Sequence, residues 1–367
     1  SYTIAYFHKF LNFFDSSITV GYAHVLYPPL AFVIGLVFFF LLVKKLFDYR
    51  VALLASLLLT IIPTYLDRTI SGVGDKEALG IVFFFAALYF FVSGWKSSTI
   101  KRSIIFGSLA GLSTALMGLV WGGYSFVVSI IGLSSLIRFV FLKFEKKQIF
   151  VYASWFVFFY SIMMYRFNLN AFINFLGTYF NAIAILALLM GLSNFILTEY
   201  KYSFQNKIEQ RLRIPHRIFM LFMIVILVAI LVVVTKGPDF ISGQISQLFI
   251  TLTTPFGNDR WQLTVAEAHQ PYLKDLINQV TWKFFLTYIV GAIILVYAFL
   301  KDLPKITKLS GTVIFILFLL GFSFSRFSQE SKILNGAGFF SQNIMYFGGM
   351  MLIILSYLGY YFYTYYK

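Results

Sequence analysis

Apolar runs close to the length of a bilayer follow one another along this chain, separated by short polar intervals. They lie near 22–43, 51–66, 78–95, 103–120, 124–142, 149–165, 174–197, 217–235, 283–301, 310–325 and 338–364. A membrane helix needs about 20 such residues. The runs are continuous and rich in Phe, Leu and Ile, whereas a membrane β-barrel strand alternates over about ten residues. The pattern predicts an all-α polytopic membrane protein of about eleven spans. Three intervals break the rhythm. Residues 1–21 form a short external stretch that, if helical, places Ile4, Phe7, Leu11 and Phe14 on one face, as in a helix lying in the membrane interface. Residues 198–216 read as a polar, basic loop. Residues 236–282, with Pro238, Pro255, Trp261, Glu267, His269 and Pro271, read as a long, partly ordered external loop, a length that usually signals function.

Composition agrees: mean hydropathy is +0.83, with 60% hydrophobic and 12% charged residues among 367. Cys is absent, which excludes disulfides, thiolate metal sites and a Cys nucleophile. The net charge of +15 invites a nucleic-acid reading, but its placement opposes that. Nineteen of the 29 Lys and Arg, among them Lys44, Lys45, Lys96, Arg102, Arg138, Lys146, Arg211 and Lys305, fall in alternate short loops or at the C-terminus. This is the positive-inside signature of cytoplasmic loops. Nine of the 14 acids take the opposite side, including Asp75, Glu77, Asp259 and Glu267. The chain therefore reads as a multi-pass cell-membrane protein with its acidic loops on the extracytoplasmic face and no nucleic-acid partner.

One external turn concentrates polar chemistry: Arg68-Thr-Ile-Ser-Gly-Val-Gly-Asp75-Lys-Glu77. Charges beside hydrocarbon are costly and usually functional. Two acids one residue apart converge on a single ion only where the backbone turns, and Gly72 and Gly74 give it that freedom. Such hard oxygens suit Mg²⁺ or Mn²⁺. The alternative is a pair of loop acids that favour the N-terminus of the helix starting near Ala78. Thr264-Val-Ala-Glu267, followed by His269, adds an acid on the same side. Alone, each of these residues reads first as solvated loop. Trp121-Gly-Gly-Tyr124 marks an external turn with interfacial aromatics. Arg68 and Arg326 sit at span ends, where each can contact a phosphate or snorkel.

Taken in order, Arg68…Ser71-Gly-Val-Gly-Asp75-Lys-Glu77, then Trp121-Gly-Gly-Tyr124, then Thr264-Val-Ala-Glu267 with His269-Gln-Pro271, the motifs resemble the membrane part of oligosaccharyltransferase catalytic subunits of the archaeal and bacterial single-subunit type. The resemblance covers essentially the whole chain. It implies a GT-C bundle, residues 1–367 being its transmembrane domain, 1–21 a remnant of the first external loop and 236–282 the catalytic loop. It implies transfer of an oligosaccharide from a polyprenyl (dolichyl) phosphate or pyrophosphate carrier to the side-chain amide of an acceptor Asn in Asn-x-Ser/Thr, by a metal-dependent single-subunit enzyme. Carried over, Asp75, Glu77 and Glu267 are metal ligands (Mg²⁺ or Mn²⁺) and catalytic acids. Arg68 organises them, Arg326 meets the lipid phosphate, and His269, Trp121 and Tyr124 lie toward the substrate. The family's thirteen helices and soluble domain imply a helix before Ser1 and a helix and domain after Lys367. The family's first metal Asp has no equivalent here, the opening reading as though it stood just before Ser1, and Trp-Trp-Asp is absent.

Other classes fit less well. O-mannosyl and lipid-sugar transferases of the GT-C type share the external acids but lack the Trp-Gly-Gly-Tyr and Thr-x-x-Glu combination. A transporter or flippase needs ionisable groups within its spans, and here they sit in loops. A scaffold has no use for matched loop acids.

Overall fold

The computed structural model describes residues 2–142, 144–200, 215–253 and 271–366. Among them the only β feature is an isolated bridge between Arg326 and Asn335. The helices in chain order are α1 (Tyr2–Phe14), α2 (Val20–Leu46), α3 (Tyr49–Leu59), α4 (Pro63–Asp67), α5 (Lys76–Trp95), α6 (Ile100–Val120), α7 (Tyr124–Phe141) and α8 (Lys146–Arg166). They continue with α9 (Leu169–Leu176), α10 (Tyr179–Tyr200), α11 (His216–Lys236), α12 (Pro238–Thr253), α13 (Leu273–Phe299) and α14 (Lys305–Phe324). A wide π-type turn, Phe340–Gly348, then leads into α15 (Gly349–Tyr366). Ten helices among the described residues are long and apolar enough to cross a membrane, one fewer than the eleven runs predict.

The difference falls at 51–66. Pro63 has no N–H to give and holds Ile62 extended (ψ 118°), so the run divides into α3 and α4. Eleven residues of helix rise only about 16 Å, half a bilayer. The divided segment still returns along α2: the Tyr65 hydroxyl donates to Phe32 O at 3.1 Å and Ser71 Oγ to Val25 O at 3.0 Å. Arg68 is thereby delivered to the N-terminal end of α2.

The chain divides into two units, residues 1–235 and 236–367. In the first, α5 packs against both α2 and α6, α6 against α8, and α7 against α10. Gly107 and Gly111 bring the α6 backbone against α8, since a Cβ on Gly111 would lie 2.5 Å from Trp155 O. Such small-residue seams replace the hydrophobic effect as the means of helix association in lipid. Interior polar groups find partners across helices. Trp155 Nε1 donates to Thr114 Oγ1 at 3.0 Å, the Tyr160 hydroxyl to Asn181 Oδ1 at 2.7 Å, and the Tyr152 hydroxyl to Ala184 O at 2.8 Å.

α1 is helical, and the face made by Ile4, Phe7, Leu11 and Phe14 divides, its first residues turning to protein and Phe14 staying exposed. Ile4 is buried and Phe7 packs on a cluster of Tyr27, Ala31, Ala78 and Val82. Tyr6, Phe10, Phe13 and Phe14 are exposed.

In the second unit, α14 packs on α13 and on the final helix. The interval 236–282 holds α12 and the first turns of α13, so it carries more helix than a loop reading suggests. α13 breaks at Thr281, whose φ of 66° and ψ of 157° lie outside the helical region.

Candidate functional site

The turn between α4 and α5 gathers the predicted acids. Asp75 N-caps α5 from an extended conformation, φ −78° and ψ 141°, and Glu77 lies in the first helical turn. A capping carboxylate complements the exposed N–H groups and dipole of the helix end. Capping is only part of its role. The Arg68 guanidinium spans both acids, with Nη1 2.6 Å from Asp75 Oδ2 and Nε 3.1 Å from Glu77 Oε2. A cation therefore already draws the two carboxylates together, and all three side chains keep some contact with solvent, 34, 23 and 19% for Arg68, Asp75 and Glu77.

Backbone and neighbours fix this arrangement. Gly72 has φ +88°, a region that residues with a Cβ seldom adopt. Gly74 is needed for space: a Cβ there would overlap the imidazole of His24, on the first turns of α2. Tyr27, one turn further along α2 and 7% exposed, donates from its hydroxyl to Asp75 O at 3.3 Å and accepts from Leu79 N at 3.2 Å. Its hydroxyl thus stands between Leu79 N and Asp75 O, the groups that pair directly in the first i→i−4 bond of an uninterrupted helix.

His24 and Tyr27 were not among the candidates that the sequence supplied. Both are polar residues three apart near the end of a hydrocarbon-length helix, a signal that could have drawn attention. Their partners lie about fifty residues away, so their purpose shows only in the fold.

Trp121 and Tyr124 divide their work. Trp121 lies across α5, and a Cβ on Gly80 would sit 2.8 Å from its indole. Gly80 follows Glu77 by one turn. Tyr124 starts α7 and points into a ring cluster, with centroids 6.1 Å from Phe159 and Phe175 and 5.9 Å from Phe180. The motif thus braces the acid-bearing helix with its first residue and the bundle with its last.

Arg326 belongs to the second unit, just after α14. Its guanidinium stands 5.1 Å from the Tyr346 ring centroid and its backbone bridges to Asn335. Burial lowers its pKa, and the nearby Tyr346 and Tyr272 oppose that shift. The residue stays cationic, as Arg does at any physiological pH. Glu267 and His269 lie outside the described residues, as does the basic stretch 201–214.

The donor set bears on the implied metal. Asp75 and Glu77 supply convergent hard oxygens, which fit Mg²⁺ or Mn²⁺. Among the described residues, no group of three or more His, Cys, Asp and Glu is placed to hold a metal. Two carboxylates are fewer than such a site needs, so a metal here would require a further donor.

The family model described as "Oligosaccharyl transferase STT3, N-terminal" matches residues 2–362. The dolichyl-diphosphooligosaccharide–protein glycosyltransferase subunit stt-3 of Caenorhabditis elegans is 31% identical over 117 residues, 32% of this chain and 15% of that protein. The STT3 subunit of Saccharomyces cerevisiae is 26% identical over 149 residues, 41% of this chain and 20% of that one. In fold, the chain is similar to the Archaeoglobus fulgidus oligosaccharyltransferase in its apo form, with a TM-score of 0.61 at 16% identity over 98% of this chain and 43% of that one. The archaeal oligosaccharyltransferase AglB of the same organism, in complex with an inhibitory peptide and a dolichol-phosphate, gives 0.57 at 17% identity, over 98% and 42%. The chain spans less than half the length of each of these proteins.

Proposed function

This chain belongs to the oligosaccharyl transferase STT3 family, and we propose that it is the membrane part of an enzyme that transfers an oligosaccharide from a polyprenyl phosphate or pyrophosphate lipid to the side-chain amide of Asn in Asn-x-Ser/Thr. The observation that carries this is Asp75 and Glu77 drawn together by Arg68 at one helix end, in a chain of this family. A dolichol-phosphate and a peptide in the related archaeal complex support the same two ligand classes here. The acid turn and the catalytic loop lie on the extracytoplasmic face, consistent with the basic loops on the other side.

The chemistry has two demands. An amide nitrogen is a poor nucleophile because its lone pair is delocalised into the carbonyl. Carboxylates that accept hydrogen bonds from both amide N–H groups hold the nitrogen toward the anomeric carbon and draw its lone pair out of conjugation, and one of them takes the single proton released as the C–N bond forms. Asp75 is assigned to this with Glu267, and Glu77 steadies Arg68 beside them. As the anomeric carbon–oxygen bond breaks, negative charge develops on the phosphate. Arg326 is assigned to that charge, a preorganised electrostatic effect of the kind that usually dominates catalysis. Mg²⁺ or Mn²⁺, held by Asp75, Glu77 and Glu267, would supply further Lewis-acid stabilisation of that leaving group. Inversion at the anomeric carbon follows from attack opposite the leaving phosphate.

The test is transfer by the full-length protein from a polyprenyl-linked oligosaccharide to an Asn-x-Thr peptide with Mn²⁺. Asp75→Ala and Glu267→Ala should each abolish product, as should Gln in place of the acceptor Asn. Transfer to Ser or Thr would instead place the protein among the O-glycosyl enzymes, and activity untouched by either substitution would remove the acids from the site.

A further inference from the structure

We infer that a cleft between the first turns of α13 and the stretch Phe327–Ser331 binds one sugar ring of the donor oligosaccharide, with Trp282 as the surface on which that ring stacks. This rests on the glycosyl-transfer reading above. The cleft has a volume of about 450 Å³, within the ~300–1,000 Å³ of small-molecule sites. Trp282 lines it together with Lys274, Asn278, Ser328, Glu330 and Ser331. A pyranose has an apolar C–H face and a rim of hydroxyls that both donate and accept. An indole face matches the first, and an amide, two hydroxyls and a Lys–Glu pair match the second.

Three observations show that the cleft is built rather than incidental. Thr281 holds φ 66° and ψ 157°, a backbone region that β-branched residues avoid and that persists only where the surroundings impose it. The start of α13 is also tied to the facing stretch: Leu273 N donates to Arg326 O at 2.8 Å, Lys274 N to Phe327 O at 2.9 Å, and Lys274 Nζ pairs with Glu330 at 3.1 Å. Trp282 follows the break, is steadied by an edge-on contact with Phe285 at 5.7 Å, and keeps 49% of its surface exposed. A Trp that only anchors a helix at the bilayer surface needs no such break.

A sugar suits the cleft better than an acceptor peptide. Phe327 N and Ser328 N both donate to Leu334 O, Ser331 N donates to Ser328 O, and Phe327 O is taken by Lys274. The loop therefore spends these backbone groups on itself and on α13, leaving recognition to side chains.

The experiment uses the full-length protein in nanodiscs, with lipid-linked oligosaccharide isolated from cells that make it and the glycan released from that lipid by mild acid. Trp282→Ala should raise the donor KM about tenfold, the loss of one stacked contact, and leave the peptide KM unchanged. Trp282→Phe should retain most of the affinity. Saturation-transfer NMR should show the released glycan on the wild-type protein and lose it in Trp282→Ala. A raised peptide KM with an unchanged donor KM would give the cleft to the acceptor and overturn the inference. So would wild-type transfer with neither KM moved. Wild-type protein that binds the glycan through Trp282 but transfers nothing would overturn the transfer reading and leave the cleft standing.

Discussion

The Tyr27 hydroxyl lies 3.3 Å from the carbonyl oxygen of Asp75 and donates to it from a helix 48 residues earlier in the chain. The acid that the motif identifies is thus held in place by a residue in no motif. Replacing Tyr27 with Phe keeps the ring among Ala31, Ala78 and Val82 and removes only the hydroxyl. Losing two hydrogen bonds of this kind should cost about 1–2 kcal/mol of stability. If Tyr27 positions Asp75, transfer at saturating donor and peptide should fall several-fold more than the folded fraction does. Thermal unfolding and kcat measured on the same preparation separate the two. A kcat that tracks stability alone would leave Tyr27 a packing residue.

Gly74 and His24 compete for one volume. Gly74→Ala should misplace the acid turn and destabilise the protein by about 1–3 kcal/mol, the usual penalty of overpacking. Adding His24→Ala opens that space, so the double variant should recover thermal stability toward wild type. A double variant no more stable than Gly74→Ala alone would show that the turn tolerates no Cβ for some other reason.

Arg68 bridges two carboxylates with two different nitrogens, which a Lys ammonium cannot copy. Arg68→Lys should therefore retain the fold yet lose most of the transfer rate, while Arg68→Ala should be worse in both. The assay is kcat/KM for peptide with folding followed by circular dichroism. Full activity in Arg68→Lys would reduce the residue to a general countercharge.

Thr114 accepts the Trp155 indole N–H at 3.0 Å between α6 and α8, where neither side chain meets solvent. Thr114→Val keeps the volume and strands the donor, at about 1–3 kcal/mol. Thermal unfolding in detergent should show that loss, with activity per folded molecule unchanged, because this pair lies in the bundle and not at the acid turn.

Much of this architecture was legible in the sequence because hydrocarbon imposes a simple code. A backbone in lipid must satisfy its own hydrogen bonds, so long apolar runs become helices. Most of the predicted spans reappear within a few residues at each end. The run 51–66 misled because hydropathy does not register how Pro63 interrupts hydrogen bonding.

The sequence by itself determined the fold class and the closeness of Asp75 to Glu77, since these depend on composition, on the length of apolar runs and on neighbours two residues apart. Tertiary structure alone decided that Arg68 clasps both acids, that Tyr27 and His24 from α2 shape their turn, and that Trp121 rests on α5 above Glu77. It also decided that Trp282 opens onto a cleft behind a strained Thr281. These contacts join residues tens of positions apart on separate helices. Their geometry comes from how helices approach one another, through glycine seams and shared hydrogen bonds, and no local pattern encodes it.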